Sequence, residues 1–246
     1  MENIAPISLS RHIALQRAMD VIANNVANSA TNGFKRRSGM FNEHVAPRAR
    51  ADSLRPADRA ISFVIDRGST LDLSQGAADR TGNPLDVTIK GDAFFVVRTS
   101  SGERYTRNGA LSLDARGELV TSDGHAVLAE QGPLAFTAAD RDIAIAADGT
   151  VSTAQGVRGR LKLAAFTRPS VLENIGGNLF SAREAPRPAS AEIRLESGVL
   201  EKSNVSPVVE ISRMIEVSRA YTSLAQSMQR GDDLRRSAIT KLAEAA

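Results

Sequence analysis

Near its end the 246-residue chain carries Ser206-Pro207, a strong helix start: a hydroxyl residue before a proline at the first helical position. From there Met214, Val217, Tyr221, Leu224 and Met228 recur at spacings of three and four, which keeps them on one helical face. The register continues through Gly231, Arg235, Ala238 and Leu242, and a second row of Ile211, Ile215, Ser218, Thr222 and Ala225 lies on a neighbouring face. The pattern predicts a helix of about 37 residues, a rod of ~55 Å at ~1.5 Å per residue. Two apolar rows on one long helix cannot bury each other. They call for a coiled coil or an array of helices, with Gly231 as the weak point.

A shorter stripe stands at the other end. Leu15, Met19, Ile22 and Val26, with Ala18 beside them, predict a helix over roughly 7–28, with Arg11, Gln16, Arg17 and Asp20 on the opposite face. Pro6 is tolerable only in its first turn. The helix runs into four asparagines, Asn24, Asn25, Asn28 and Asn32, although asparagine competes with its own helix for backbone hydrogen bonds. Asn32-Gly33 tolerates positive φ and is read as the chain reversal, Phe34 as an apolar anchor, and Lys35, Arg36 and Arg37 as the start of a basic linker. Asn24, Asn25 and Asn28 are read as amides that satisfy backbone groups across packed helices and set their register.

The middle of the chain, roughly 61–201, alternates short Val/Ile/Phe/Leu-rich runs with glycine turns. ISFVI, LDVTIK, AFFVVRT, ELVTS, HAVLA, RLKLAAF and EIRL are punctuated by SSGE, RNGA, DARGE, SDGH and ADGT. Asn-Gly and Asp-Gly are hairpin connectors, and strands at this spacing suggest a sandwich or barrel-like β-domain rather than a βαβ fold. GVRGR at 156–160 is read as a turn, 45–60 as a Pro/Ala/charge linker and 181–191 as a surface loop. The expected fold class is α+β. N- and C-terminal α-helices pack as a coiled-coil-like helical domain, with a central, mainly antiparallel β-domain. The layout is an N-terminal helix at 1–34, basic linker and first β segments at 35–74, β-domain at 75–201 and C-terminal helix at 202–246.

Chemistry is sparse. The chain has no cysteine, which removes disulfides, thiol nucleophiles and thiolate metal sites. No apolar run reaches the ~18 residues of a membrane span, and MENIAPISLSRHIALQ lacks the basic and apolar regions of a cleaved signal peptide. The first 60 residues hold nine Lys/Arg against five Asp/Glu, a basic bias read as a solvated loop, since no nucleic-acid-binding pattern accompanies it. No nucleophile, phosphate-binding or zinc motif is present. His12, His44 and His125 are unpaired in sequence, and Asp140 with Asp142 or Asp232 with Asp233 read as loop or surface acids. No catalytic residue, cofactor or metal is expected, and Asn204-Val205-Ser206 is read as helix capping rather than a glycosylation site.

Three stretches together are specific. ANNVANSATNGFKR (23–36) resembles the N-terminal motif of bacterial flagellar axial proteins. The segment from LDVTIKGDAFF to AEQGPL (85–134) is similar to the β-domain signature of rod and hook proteins, and GVLEKSNVSPVVEISRMIEVSRAYTSLAQSM (198–228) is similar to their C-terminal motif. Order and spacing over most of the chain identify it as a member of the flagellar basal-body rod family, resembling proximal-rod proteins most and distal-rod proteins next; a secreted adhesin-like β-domain protein is the remote alternative. The resemblance implies a structural subunit of the proximal rod in the periplasm. It would be passed out by the flagellar type III export apparatus and polymerise with copies of itself and other rod proteins. The hollow shaft so formed transmits torque to the hook and lets export substrates through, with terminal helices inside and the β-domain outside. No nucleic acid, small-molecule substrate or membrane span is implied. The residues expected at subunit interfaces are Leu15, Met19, Ile22, Asn24, Asn25, Val26, Asn28, Phe34, Ile211, Met214, Ile215, Val217, Tyr221, Leu224 and Met228.

Overall fold

AFFVVRT becomes the strand Ala93–Thr99, and its unbroken apolar run has a packing cause. Successive side chains point to opposite faces, so a strand covered on both sides needs apolar residues at every position. Ala93, Phe95 and Val97 enter one buried cluster with Val87, Ile89, Leu119 and Val127. Phe94 and Val96 enter a second with Tyr105, Leu172 and Phe180. In that second cluster Phe94 meets the edges of Phe180 and Phe166 at 5.6 and 5.8 Å between ring centres, and Tyr105 meets Phe166 at 4.8 Å. Such T-shaped pairs suit the ring quadrupoles.

The computed structural model describes residues 4–46, 61–140, 142–190 and 192–244. Around Ala93–Thr99 the main sheet runs in the order Leu172–Gly176, Leu179–Ala182, Gly102–Thr106, Ala93–Thr99, Ala126–Ala129, Leu119–Thr121 and Leu111–Leu113. Leu163–Ala165 adds antiparallel to the central strand, with Leu163 opposite Phe95. A three-stranded sheet joins Ala144–Ile145, Thr150–Thr153 and Gly156–Arg160, and Arg194–Ser197 pairs with Val87–Lys90. Two helices complete the described chain: α1, Ile4–Ala27, and α2, Pro207–Glu244. Pro6 lies in the first turn of α1, where its missing N–H has no helical partner to lose.

The chain divides into two compact units. One takes α2, α1 up to Val26 and most of the paired strands Arg37–Ala46 and Ile61–Leu71. The other takes Ala27–Arg36 and Leu71–Ser206, which includes the main sheet.

Several expectations need correction. The chain is mainly β, in several sheets, with a single helix at each end; no coiled-coil-like helical domain is formed among the described residues. A coiled coil needs apolar a and d positions sustained on both partners. Here α1 has 24 residues against 38 in α2, and its inner face is interrupted by the buried amide of Asn25. Leu234 and Leu242 of α2 stay 72% exposed. Gly231 does not interrupt α2, and a Cβ added there would meet nothing within 4 Å. GVRGR is not a turn but the strand Gly156–Arg160, paired with Thr150–Thr153. Asn108-Gly109 is not a positive-φ hairpin turn: a Cβ on Gly109 would sit 1.7 Å from the Val87 carbonyl oxygen, and the Val87 N–H donates to the Gly109 carbonyl at 2.9 Å. That glycine serves close approach of two backbones. Arg37–Ala46, within the segment 35–74 expected to hold a basic linker and the first β segments, is a strand, and linker residues 47–60 and the His44 side chain lie outside the described residues.

Asp140 is a loop acid, as read, and it ties the segment 137–158. Its carboxylate accepts the Thr137 N–H (2.8 Å), the Thr137 and Thr153 hydroxyls (2.9 and 3.1 Å) and the Arg158 guanidinium. The Thr137 N–H, then Arg158 and the two hydroxyls, hold its pKa down to about 2 against an ordinary 3.8. A carboxylate with a depressed folded-state pKa stabilises the fold above its unfolded pKa and loses that effect as pH falls through the folded value. The melting-temperature gap between wild type and Asp140→Asn should therefore be full above about pH 5 and close as pH falls from 3.8 towards 2. A gap independent of pH in thermal melts would refute this.

Candidate assembly site

The apolar row of α1 is inward: Ile22 is buried, and Leu15, Met19 and Val26 are half-buried. On α2 the row Met214, Val217, Tyr221, Leu224 and Met228 is half-buried, while Ile211 and Ile215 are exposed. The two helices meet where the His12 ring lies 4.3 Å from that of Tyr221, and again through Asn25. Those contacts join early α1 to mid α2 and late α1 to early α2, so the helices run antiparallel.

Of the asparagines, Asn24 is exposed, Asn28 half-buried and Asn25 fully buried. The Asn25 amide donates to the Arg37 carbonyl (2.8 Å) and to Glu210 Oε2 (3.1 Å), and its oxygen accepts the Arg37 N–H (3.0 Å). Glu210, itself buried, also accepts Arg213 at 3.1 Å. Asn25 thus closes a small backbone-like pair with Arg37 and holds the first turn of α2. A buried amide with every group used specifies one arrangement of the elements it joins. Asn28 instead shapes the turn after α1: its carbonyl accepts the Thr31 N–H at 3.2 Å.

Residues 32–36 then lie in a slot of the β unit, bonded at each residue. The Asn32 carbonyl accepts the Asn178 amide (2.8 Å), and the Gly33 N–H donates to the Glu201 carbonyl (2.7 Å). The Phe34 carbonyl accepts the Asn204 N–H at 3.4 Å, with its ring 3% exposed. The Arg36 N–H donates to Asn204 Oδ1 (2.7 Å), and its carbonyl accepts the Asp72 N–H (2.9 Å). Gly33 has φ +67°, and a Cβ there would lie 2.4 Å from the Arg107 carbonyl carbon.

Lys35 is the centre of this slot. It is completely buried, and its ammonium donates to Glu201 Oε1 (2.6 Å) and the Ser74 carbonyl (2.7 Å). Glu201 Oε1 also accepts the Gly76 N–H at 3.0 Å, and Oε2 faces Arg107 at 3.8 Å. Arg107 is held by the Ile89 and Gly91 carbonyls and lies over the Phe94 ring. Two cations thus share one carboxylate in a buried site. Burial pushes the Lys35 pKa down, with Glu201 opposing and Arg107 adding, and burial likewise lowers that of Arg107. What the group can do is recognise one peptide segment by charge and by backbone.

Lys35 was expected in a solvated linker; the structure places it, with Phe34, in the β unit. Arg107, Asn178, Glu201, Asn204 and Glu210 were not singled out from sequence. The available signal was the opposite charge carried by two of the motif stretches, Lys35 in NGFKR and Glu201 in LEKSNV. Among the described residues no set of three or more His, Cys, Asp or Glu is grouped to hold a metal.

Three family profiles match in order: "Flagella basal body rod protein" over 7–35, "Flagellar hook protein FlgE/F/G D1 domain" over 88–153, and "Flagellar basal body rod FlgEFG protein C-terminal" over 196–241. The chain is 36% identical to the flagellar basal-body rod protein FlgF of Caulobacter vibrioides over 98% of both chains. It is 35% identical to FlgF of Escherichia coli over 87% of each, and 34% identical to FlgG of Bacillus subtilis over 89% of this chain and 91% of that one. With NGFK and LEKSNV locked together inside the first and last of those matched segments, this chain belongs to the flagellar basal-body rod protein family and is FlgF-like.

Proposed function

We propose that the chain is a structural subunit of the proximal rod, assembling through its terminal helices with copies of itself and with other rod proteins. The observation that carries this reading is the apolar surface α2 leaves open. Ile211, Ile215, Leu234, Ile239 and Leu242 are exposed on a helix of 38 residues. Each such side chain, once covered, contributes ~1.5–3 kcal/mol, so a few per helix hold a subunit once several neighbours engage together. The interface is assigned to these residues with Leu15, Met19, Ile22, Asn24 and Val26 on α1 and Met214, Val217, Tyr221, Leu224 and Met228 on α2. Delivery through the flagellar type III export apparatus, and a shaft that transmits torque and passes later substrates, complete the proposal.

Leu224→Asp should leave the β unit folded and keep the chain out of the rod. Because Leu224 is half-buried within its own chain, Leu234→Asp is the sharper variant. Its wild-type side chain is exposed, so a loss of incorporation there reports a neighbour. Normal amounts of Leu234→Asp protein in purified basal bodies would sink the assignment.

A further inference from the structure

We infer that the slot of the β unit is a receptor for an NGFKR segment, and that it accepts this segment from a second copy of the chain as well as from its own. The slot and its occupant are complementary at every residue. The Asn178 amide reads the Asn32 carbonyl, the Glu201 carbonyl reads the Gly33 N–H, and the Glu201 carboxylate takes the Lys35 ammonium at 2.6 Å. Asn204 reads the Arg36 N–H, and the Arg107 and Asn108 backbone leaves room for a glycine and nothing larger. This is how extended peptides are recognised, by main-chain hydrogen bonds with a pocket for one charged side chain.

The segment is also set apart from its flanks by its place in the chain. Ala27–Arg36 belongs to the β unit, whereas the described residues on both flanks, up to Val26 and from Arg37, belong to the other. It is therefore a short insert that docks on a body formed by residues far away in sequence, Leu71–Ser206. Docking in cis and in trans makes the same contacts, so the choice depends on effective concentration and on tether strain alone. In an array of copies the neighbouring segment is held close, which raises its effective concentration as a tether does. Segment exchange would link copies without any new surface. The inference rests on the proposed self-assembly for its consequence only, since the docking itself is read in solution without a rod.

The test uses labelled peptide ANSATNGFKRR, residues 27–37, added to the full chain carrying Gly33→Val, whose own segment no longer fits. The variant should capture the peptide and the wild type, with its slot filled, should not; Lys35→Glu in the peptide should weaken capture at least tenfold. No capture by a folded Gly33→Val chain, or capture insensitive to Lys35→Glu, overturns the inference. Should Gly33→Val fail to fold, cysteines decide, because the natural chain has none. Copies with Asn32→Cys and copies with Asn178→Cys are unfolded, mixed and refolded together, and the double variant shows that the pair can close in cis. A disulfide-linked dimer growing with concentration supports exchange; monomer alone at every concentration, while the double variant closes, refutes it. A chain that exchanges segments yet never enters rods removes the functional proposal and leaves this one standing, and the reverse result does the opposite.

Discussion

Lys35→Ala should cost about 3–5 kcal/mol in urea unfolding, the range for removing one partner of a buried ion pair. The ammonium is fully buried and 2.6 Å from Glu201. Without it the carboxylate keeps one N–H, from Gly76 at 3.0 Å, and a guanidinium at 3.8 Å. Glu201→Gln should be at least as costly, because Lys35 and Arg107 would then stand together with no anion between them. The pH dependence separates charge from shape. Burial lowers the Lys35 pKa below its ordinary 10.5, so between the folded value and 10.5 the unfolded chain binds more protons. Stability contributed by this group therefore rises with pH across that window and is at its lower level below the folded pKa. Tyr105, whose pKa burial raises, has the opposite slope near pH 10, so the quantity to follow is wild type minus Lys35→Met. That difference should widen from pH 7 to 10; a difference that narrows would show that the pair, not its desolvation, dominates.

What could be read from the sequence was what local rules decide. Ser206-Pro207 placed the start of α2 at Pro207, because a cap and a proline act within one turn. AFFVVRT reads as a strand from its composition and flanking turns, and cover on both faces explains why it lacks alternation. The failures share one cause. Lys35 stands in a run of three basic residues that looks solvated, and its partner is 166 residues away. Neither the charge nor the neighbours of Lys35 reveal that Glu201 and Ser74 surround it. The coiled-coil reading extended a sound helical period beyond what α1 can cover, since periodicity gives a face but not its occupant. Asn25 shows the same limit from the other side. Its side chain was recognised as anomalous in a helix, yet its use, a paired contact with the Arg37 backbone, depends on a strand that the basic composition hid.

Gly33→Ala should destabilise the chain by about 3–5 kcal/mol, at the upper end for single substitutions, because two independent penalties fall on one methyl group. The first is conformational. Gly33 has φ +67°, where an L side chain costs ~1–2 kcal/mol. The second is a collision with atoms that cannot move aside. The new Cβ would lie 2.4 Å from Arg107 C, 2.5 Å from its oxygen and 2.6 Å from Asn108 N, all backbone. Relief requires the segment to lift, which stretches the Asn178 and Glu201 bonds and draws Lys35 off its carboxylate. Gly124→Ala supplies the control. Its φ is +81°, but nothing lies within 4 Å of the added atom, so only the first penalty applies and the loss should stay near ~1 kcal/mol. The excess at Gly33 over Gly124 is then the free energy of close approach in the slot. Equal losses at the two positions, measured by urea unfolding, would mean that the slot yields and that its fit does not select glycine.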